Sequence, residues 1–271
     1  MLKTPEDRSF LAELTDGVLR LSFNRPEFGN AIPSQNVPLL TDLFRSAQDN
    51  PAVRSILIRG EGKVFSAGGD VAAFGRSVEQ PKDERAADFD RRLRIAADLA
   101  KAIHAFEGGI VTAVRGAAAG AGLFYPLVAD VAIGDPSACF VFAHQRVGLT
   151  PDGGLTTVLP QVVGVRMARN LLMTSAKVDA EEALRLGMLT EIVAAEELDE
   201  RAMKAAQRLA RAPQLALKMA KHLINATPGA TLDAMLEAET AGIVGCVADD
   251  DFEEGVRAFL EKRAARFPSA A

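Results

Sequence analysis

The chain has 271 residues, enough for one large domain or a domain with a small appendage, and its 48% hydrophobic content supplies a real core. Lys and Arg number 31 against 36 Asp and Glu, and the resulting net charge of −5 argues against a nucleic-acid binder while leaving room for a local basic patch. Apolar runs break at charge or glycine well short of the roughly 18 residues a membrane span needs.

The two cysteines, Cys139 and Cys246, have no metal-ligand spacing and read as buried thiols in a reducing compartment. The first residues, MLKTPEDRSFLAEL, lack a signal-peptide core, so a cytoplasmic protein is expected.

Residues 9–23 alternate around Asp16-Gly17, a hairpin turn between two short strands. Residues 35–48 carry Val37, Leu40, Phe44 and Ala47 at helical spacing, and Asp49-Asn50-Pro51 stops that helix. Ser55 to Arg59 reads as a strand, followed by the small-residue turn Ala67-Gly68-Gly69-Asp70. The polar stretch 75–92 predicts a mobile loop or a loosely packed helix. A helix is expected over 91–106, with Leu93, Ile95, Leu99, Ile103 and Phe106 on its apolar side.

The apolar strand Ile110–Val114 then runs into Gly116-Ala-Ala-Ala-Gly120-Ala121-Gly122, where no side chain exceeds a methyl group. A helix and a strand follow over 123–133, and Phe140–Phe142 is a short strand. Residues 155–175 read as helical with a break at Gly164, and Asp179 caps the next helix. Beyond about residue 195 only helices are expected: 195–212, 214–225, 231–245 and 251–266. The organisation expected is therefore a strand-and-helix core over 1–195 and a helical region over 196–271 for oligomerisation and closure of the site.

The two small-residue turns each close a strand and precede a helix. Gly116, Gly120 and Gly122 are spaced GxxxGxG, which is neither a dinucleotide fingerprint nor a phosphate-binding loop. What remains is a pair of backbone N–H donors from two turns converging on one oxygen, an oxyanion hole.

In this the chain resembles the crotonase, or enoyl-CoA hydratase/isomerase, superfamily. The matching pieces are NRPEFGNAI (24–32), FSAGGDV (65–71), AVRGAAAGAG (113–122), ADVAI (129–133), VGLTPDGGLTTVLPQVVG (147–164) and GVRAFLEKRAARF (255–267), in the family's order and over nearly the whole chain. The resemblance implies an α/β fold, a crotonase-like spiral of ββα units with a helical C-terminal region, assembled as a homotrimer or hexamer. It implies an acyl-CoA thioester substrate, no metal, and no cofactor beyond the coenzyme A that belongs to the substrate.

The same resemblance assigns the amides of Ala67 and Ala121, with Gly68 and Gly120 beside them, to the thioester oxygen. It puts Arg25, Phe28, Ala31, Gly69, Asp70 and Val71 along the CoA channel, with Lys262, Arg263 and Phe267 as further contacts. Hydratases of this family use two glutamates. Their positions hold Phe124 and His144 here, so ordinary hydration is not expected. The carboxylate in reach is Asp152, at a position where isomerase-type members carry the acidic residue that moves the proton. Pro151-Asp152-Gly153-Gly154 is also a good turn sequence by itself.

The expectation is an enoyl-CoA isomerase with Asp152 as base and His144 hydrogen-bonding the substrate, orienting Asp152 or only filling space. Leu123, Phe124, Phe142 and Val147 are the expected apolar wall. Alternatives are a hydratase, a ring-modifying isomerase of aromatic acyl-CoA, and a non-catalytic acyl-CoA binder. Dehalogenation needs an aromatic cradle that includes tryptophan, which the chain lacks.

Overall fold

The computed structural model describes residues 3–69 and 71–270, the side chains of residues 71–73 excepted. Strands β1 (Phe10–Thr15) and β2 (Val18–Phe23) pair antiparallel, with Thr15 opposite Val18. Asp16 (φ 51°) and Gly17 (φ 81°) both adopt the left-handed conformation that a two-residue hairpin turn demands.

Helix α1 (Val37–Gln48) buries Leu40, Leu43, Phe44 and Ala47 and leads into β3 (Ser55–Gly60). Helices α2 (Val71–Ser77) and α3 (Lys82–His104) follow. Most of the polar stretch after residue 75 is therefore helix, not loop: i,i+4 pairs such as Asp88–Arg92 and Asp90–Arg94 support it from its surface.

Strand β4 (Gly109–Val114) is buried throughout, β5 (Ala117–Ala119) begins a second layer, and a 3-10 turn over Gly120–Leu123 opens into α4 (Phe124–Val128). After these come β6 (Val131–Gly134), β7 (Cys139–Val141), α5 (Leu155–Val163) and α6 (Val165–Met173), the last two broken at Gly164. Strand β8 (Lys177–Val178) precedes α7 (Ala180–Arg185), whose cap Asp179 accepts from the Glu182 amide at 2.9 Å. Strand β9 (Glu191–Ile192) is followed by helices α8 (Leu198–Ala210), α9 (Gln214–Ala226), α10 (Leu232–Val247) and α11 (Asp250–Leu260).

The main sheet runs β1-β2-β3-β4-β6-β9, parallel from β2 onward. Its central strands are apolar on both sides, as parallel sheets covered on two faces must be. Ile56, Ile58, Ile110 and Val114 face α1, α3 and α5, while Leu57, Val111, Ala113 and Ile133 face α8. Alanines 202, 205, 206 and 210 let α8 lie close to the sheet.

The small sheet β5-β7-β8 is separate from this one, and a parallel bridge from Ser66 to Ala118 ties the loop after β3 to it. That bridge brings the two small-residue turns side by side. Cys139 and Cys246 are free and half-buried, short of the full burial expected of them. Leu232, Ile243, Val244, Phe259 and Leu260 leave an exposed apolar surface on α10 and α11.

Candidate active site

The site starts with Asn30, a fully buried residue in the left-handed conformation (φ 58°). Its Oδ1 accepts from the Arg25 amide at 2.9 Å, and its Nδ2 donates to the carbonyls of Glu61 (2.9 Å) and Val64 (2.6 Å). One side chain thereby clamps the 24–32 loop onto the turn after β3. Nothing in residue spacing singled it out; the signal was only a polar residue between Gly29 and Ala31-Ile32.

The Ser66 amide donates to Ala117 and the Ala119 amide to the Ser66 carbonyl, at 3.0 and 2.8 Å. Gly68 (φ 81°) then passes so close to the second turn that a Cβ there would lie 2.5 Å from the Ala119 carbonyl and 2.6 Å from the Ala121 nitrogen. Only glycine fits at that crossing. Gly116 (φ 64°) is bound as tightly at the other end, where a Cβ would stand 2.0 Å from the Lys63 carbonyl.

This geometry corrects one of the expected donors. The Ala67 amide donates to the Gly29 carbonyl at 2.7 Å, and the Gly68 amide to Ser66 Oγ at 3.2 Å, so neither is left for a ligand. The next amide belongs to Gly69, which among the described residues donates to no backbone carbonyl. Ala121 lies in the first turn of the 3-10 segment, where amides have no partner within the helix.

A cavity of about 230 Å³ opens here, lined by Ser66, Gly68, Gly69, Ala121, Tyr125 and Asp152 and not by Ala67. Its apolar wall comes from Ile32, Val37, Phe74, Phe89, Leu93, Ile95, Ala96, Leu99 and Leu149. The expected wall is not there. Leu123 and Phe142 are core residues, Val147 is exposed, and Phe124 is buried beneath the turn that carries Asp152, its ring 3.1 Å from where a Gly154 Cβ would stand. Phe124 thus shapes the site from behind. Tyr125 packs edge-on to Phe23 at 4.9 Å, and burial pushes its phenol well above the ordinary range, so it stays a neutral hydroxyl.

Asp152 Oδ1 lies 3.5 Å from His144 Nε2. The carboxylate side chain is 35% exposed and the imidazole 9%, so Asp152 faces the cavity and His144 stands behind it. His144 Nδ1 is buried with no hydrogen-bond partner among the described residues. The imidazole does not line the cavity, which leaves it beside Asp152 and away from direct substrate contact.

Of the other expected contacts, Arg25 stacks over Phe28 at 4.3 Å and donates to the Ala31 carbonyl at 3.2 Å, which clusters all three on the loop next to Ala67. Gly120 opens the 3-10 segment with φ 52°. Asp70 lies outside the described residues, as does the side chain of Val71. Lys262 and Phe267 are not brought to the cavity within one chain. Phe267 lines a separate groove with Pro213, Phe252 and Phe259, and Lys262 ends α11 in the left-handed conformation. Arg263 is engaged by Glu254 and Glu261.

The enoyl-CoA hydratase/isomerase family model matches residues 13–270. A probable enoyl-CoA hydratase of Rhodobacter capsulatus is 36% identical over 94% of this chain and 96% of its own length. The 1,2-epoxyphenylacetyl-CoA isomerase of Escherichia coli is 32% identical over 95% and 97%. The crystal structure of an enoyl-CoA hydratase from Polaromonas sp. superposes with a TM-score of 0.86 at 30% identity, covering 94% of this chain and 98% of that one. Match, identity and shared architecture together show that the chain belongs to the enoyl-CoA hydratase/isomerase family.

Proposed function

We propose that the protein moves the double bond of an enoyl-CoA thioester by proton transfer. The observation that carries this is a cavity whose lining holds one carboxylate, Asp152, in the same space as the Gly69 and Ala121 amides. By the family resemblance, Phe124 and His144 occupy the positions at which hydratases carry their paired glutamates, which supports this reading.

The thioester oxygen of a 3-enoyl-CoA sits between the two amides. Asp152 takes a proton from C2, and the charge that develops spreads onto that oxygen, where fixed donors in a partly dry site are most effective. The proton then returns at C4, so one C–H bond breaks, one forms, and a 2-enoyl thioester leaves. A single base serves both steps, as a 1,3-shift requires. His144 with its hydrogen on Nε2 directs a donor at Asp152 Oδ1 and leaves Oδ2 for the substrate. The 3.5 Å separation is long for a hydrogen bond and is of the kind that tightens when substrate closes the site. Coenzyme A arrives with the substrate and no further cofactor takes part.

A second reading is hydration, supported by the name of the R. capsulatus relative. It requires Asp152 and His144 together to hold a water. Proton NMR in D₂O with 3-enoyl-CoA separates the two. Isomerisation gives 2-enoyl-CoA with deuterium at the α- and γ-carbons; a 3-hydroxyacyl product contradicts it. Tight binding without turnover, unaffected by Asp152→Ala, would indicate a non-catalytic acyl-CoA binder. The exposed apolar surface of α10 and α11 supports assembly as a homotrimer or hexamer, and a cytoplasmic location is part of the same proposal.

A further inference from the structure

The cavity lining holds a second charged side chain, Arg92. It belongs to a stripe on α3 that faces the cavity at helical spacing: Phe89, Arg92, Leu93, Ala96 and Leu99. Every other member of that stripe is apolar. A leucine or methionine would complete the wall at no electrostatic cost, whereas a guanidinium there gives up part of its hydration.

The arginine is held in place from its own helix. Asp88, one turn earlier, pairs with both Arg92 and Arg91. The Asp88 side chain is only 14% exposed, while that of Arg92 remains 31% exposed. Two guanidinium groups sharing one carboxylate leave the cluster net positive. Arg92 offers five N–H donors in a rigid fork, and among the described residues Asp88 is its one ion-pair partner. The Phe89 ring lies 6.0 Å from its Cζ and flanks the guanidinium on the cavity side of the helix.

We infer that Arg92 binds an anionic oxygen group on the acyl part of the substrate, and that the preferred substrates are CoA thioesters whose acyl chain carries a second carboxylate. Arginine meets a carboxylate with two parallel hydrogen bonds, and in a cavity walled by Phe74, Phe89, Leu93 and Leu99 those bonds face little competition from water. The inference rests on the reading of this cavity as the acyl pocket, but not on the proton shift.

The test is calorimetric binding of two saturated esters that cannot isomerise: hexanoyl-CoA and its counterpart with a terminal carboxylate in place of the methyl group. The wild-type protein is expected to bind the carboxylated ester about 10-fold or more tightly over the other. Arg92→Met is expected to reverse that order, weakening the carboxylated ester by about 10–100-fold and leaving hexanoyl-CoA unchanged or tighter. Should Arg92→Met not fold, the wild-type preference alone decides. A wild-type protein that favours hexanoyl-CoA or treats the two alike overturns the inference, as does an Arg92→Met variant that weakens both equally. Absence of binding by either ester would remove the acyl-CoA pocket itself, and with it the proposed function.

Discussion

The two sides of the cavity are built in different ways. One side is backbone: the turns after β3 and β5, pinned by Asn30, by the Ser66–Ala118 bridge and by the Gly68 crossing. The other is side chain: one face of α3 with Phe74, where apolar groups and the Arg92 guanidinium line the cavity. A backbone network of this kind has one arrangement, since moving Gly68 by even a methyl radius strikes a carbonyl. A helix face can change residue by residue without disturbing its neighbours. The contrast suggests that polarisation of the thioester resides in the first side and the choice of substrate in the second, with Asp152 supplied separately by the turn before α5.

Breaking the backbone side should cost most. Gly68→Val forces a Cβ into the Ala119 carbonyl and the Ala121 amide and separates the two donors. Isomerase kcat should fall by about 10²–10³-fold, the usual cost of losing an oxyanion donor, and steady-state kinetics with 3-enoyl-CoA would measure it. A substitution that leaves kcat intact would show that the crossing is not needed for catalysis.

His144 sits between the two kinds of construction. His144→Phe keeps the buried volume but removes the donor, and kcat should drop about 10-fold with KM unchanged. His144→Gln, whose amide can reach the same carboxylate, should recover much of the loss. A packing role alone would give the opposite ranking of the two variants.

On the helix side, Leu93→Ala should act on selection instead of rate. A truncated wall is expected to lower kcat/KM for long acyl chains by about 10-fold while sparing short ones. Equal losses for all chain lengths would merge the two sides into one functional unit.

Much of this architecture is legible in the sequence. Asp16-Gly17, Gly164 and Asp179 each require a local backbone conformation, and each marks the boundary it was expected to mark. The start of α3 was hidden because its first turns carry charge on most sides, and its i,i+4 pairs stabilise helix without leaving an apolar period. The end of α11 was hidden too. Lys262, not a glycine, takes the left-handed position there, and the Arg263 amide returns to the Ala258 carbonyl at 3.0 Å.

The site was partly readable in the same way. Asp152 and Ala121, which the family resemblance assigns to the site, both line the cavity, although Pro151-Asp152-Gly153-Gly154 alone reads only as a turn. The engagement of the expected donor Ala67 is not readable, because it depends on a hydrogen bond from its amide to the distant Gly29 carbonyl. Sequence proximity points to neighbours of the turns as the apolar wall, whereas the fold supplies it mostly from α3, with Ile32, Val37, Phe74 and Leu149.

The smallest effect concerns neither side of the cavity but the C-terminal tail. Hydrogen bonds from Arg263 and then the Arg266 amide hold the Glu254 carboxyl down at about 2. A depressed carboxyl lends stability that is complete above its unfolded value and fades as pH falls through the folded one. The melting temperature of Glu254→Gln should therefore lie slightly below wild type at pH 7, with the gap closing between about pH 4 and pH 2. A gap that widens on acidification would contradict the assignment.

The division of labour at the centre of this account is that the Gly69 and Ala121 amides polarise the thioester while Asp152 moves the proton. Infrared difference spectroscopy of a 3-enoyl-CoA labelled with ¹³C at C1, bound to Asp152→Asn, tests it most directly. The account predicts a carbonyl stretch shifted to lower frequency than in the free ester, together with loss of deuterium exchange at C2. An unshifted carbonyl, or exchange at the wild-type rate, would contradict it.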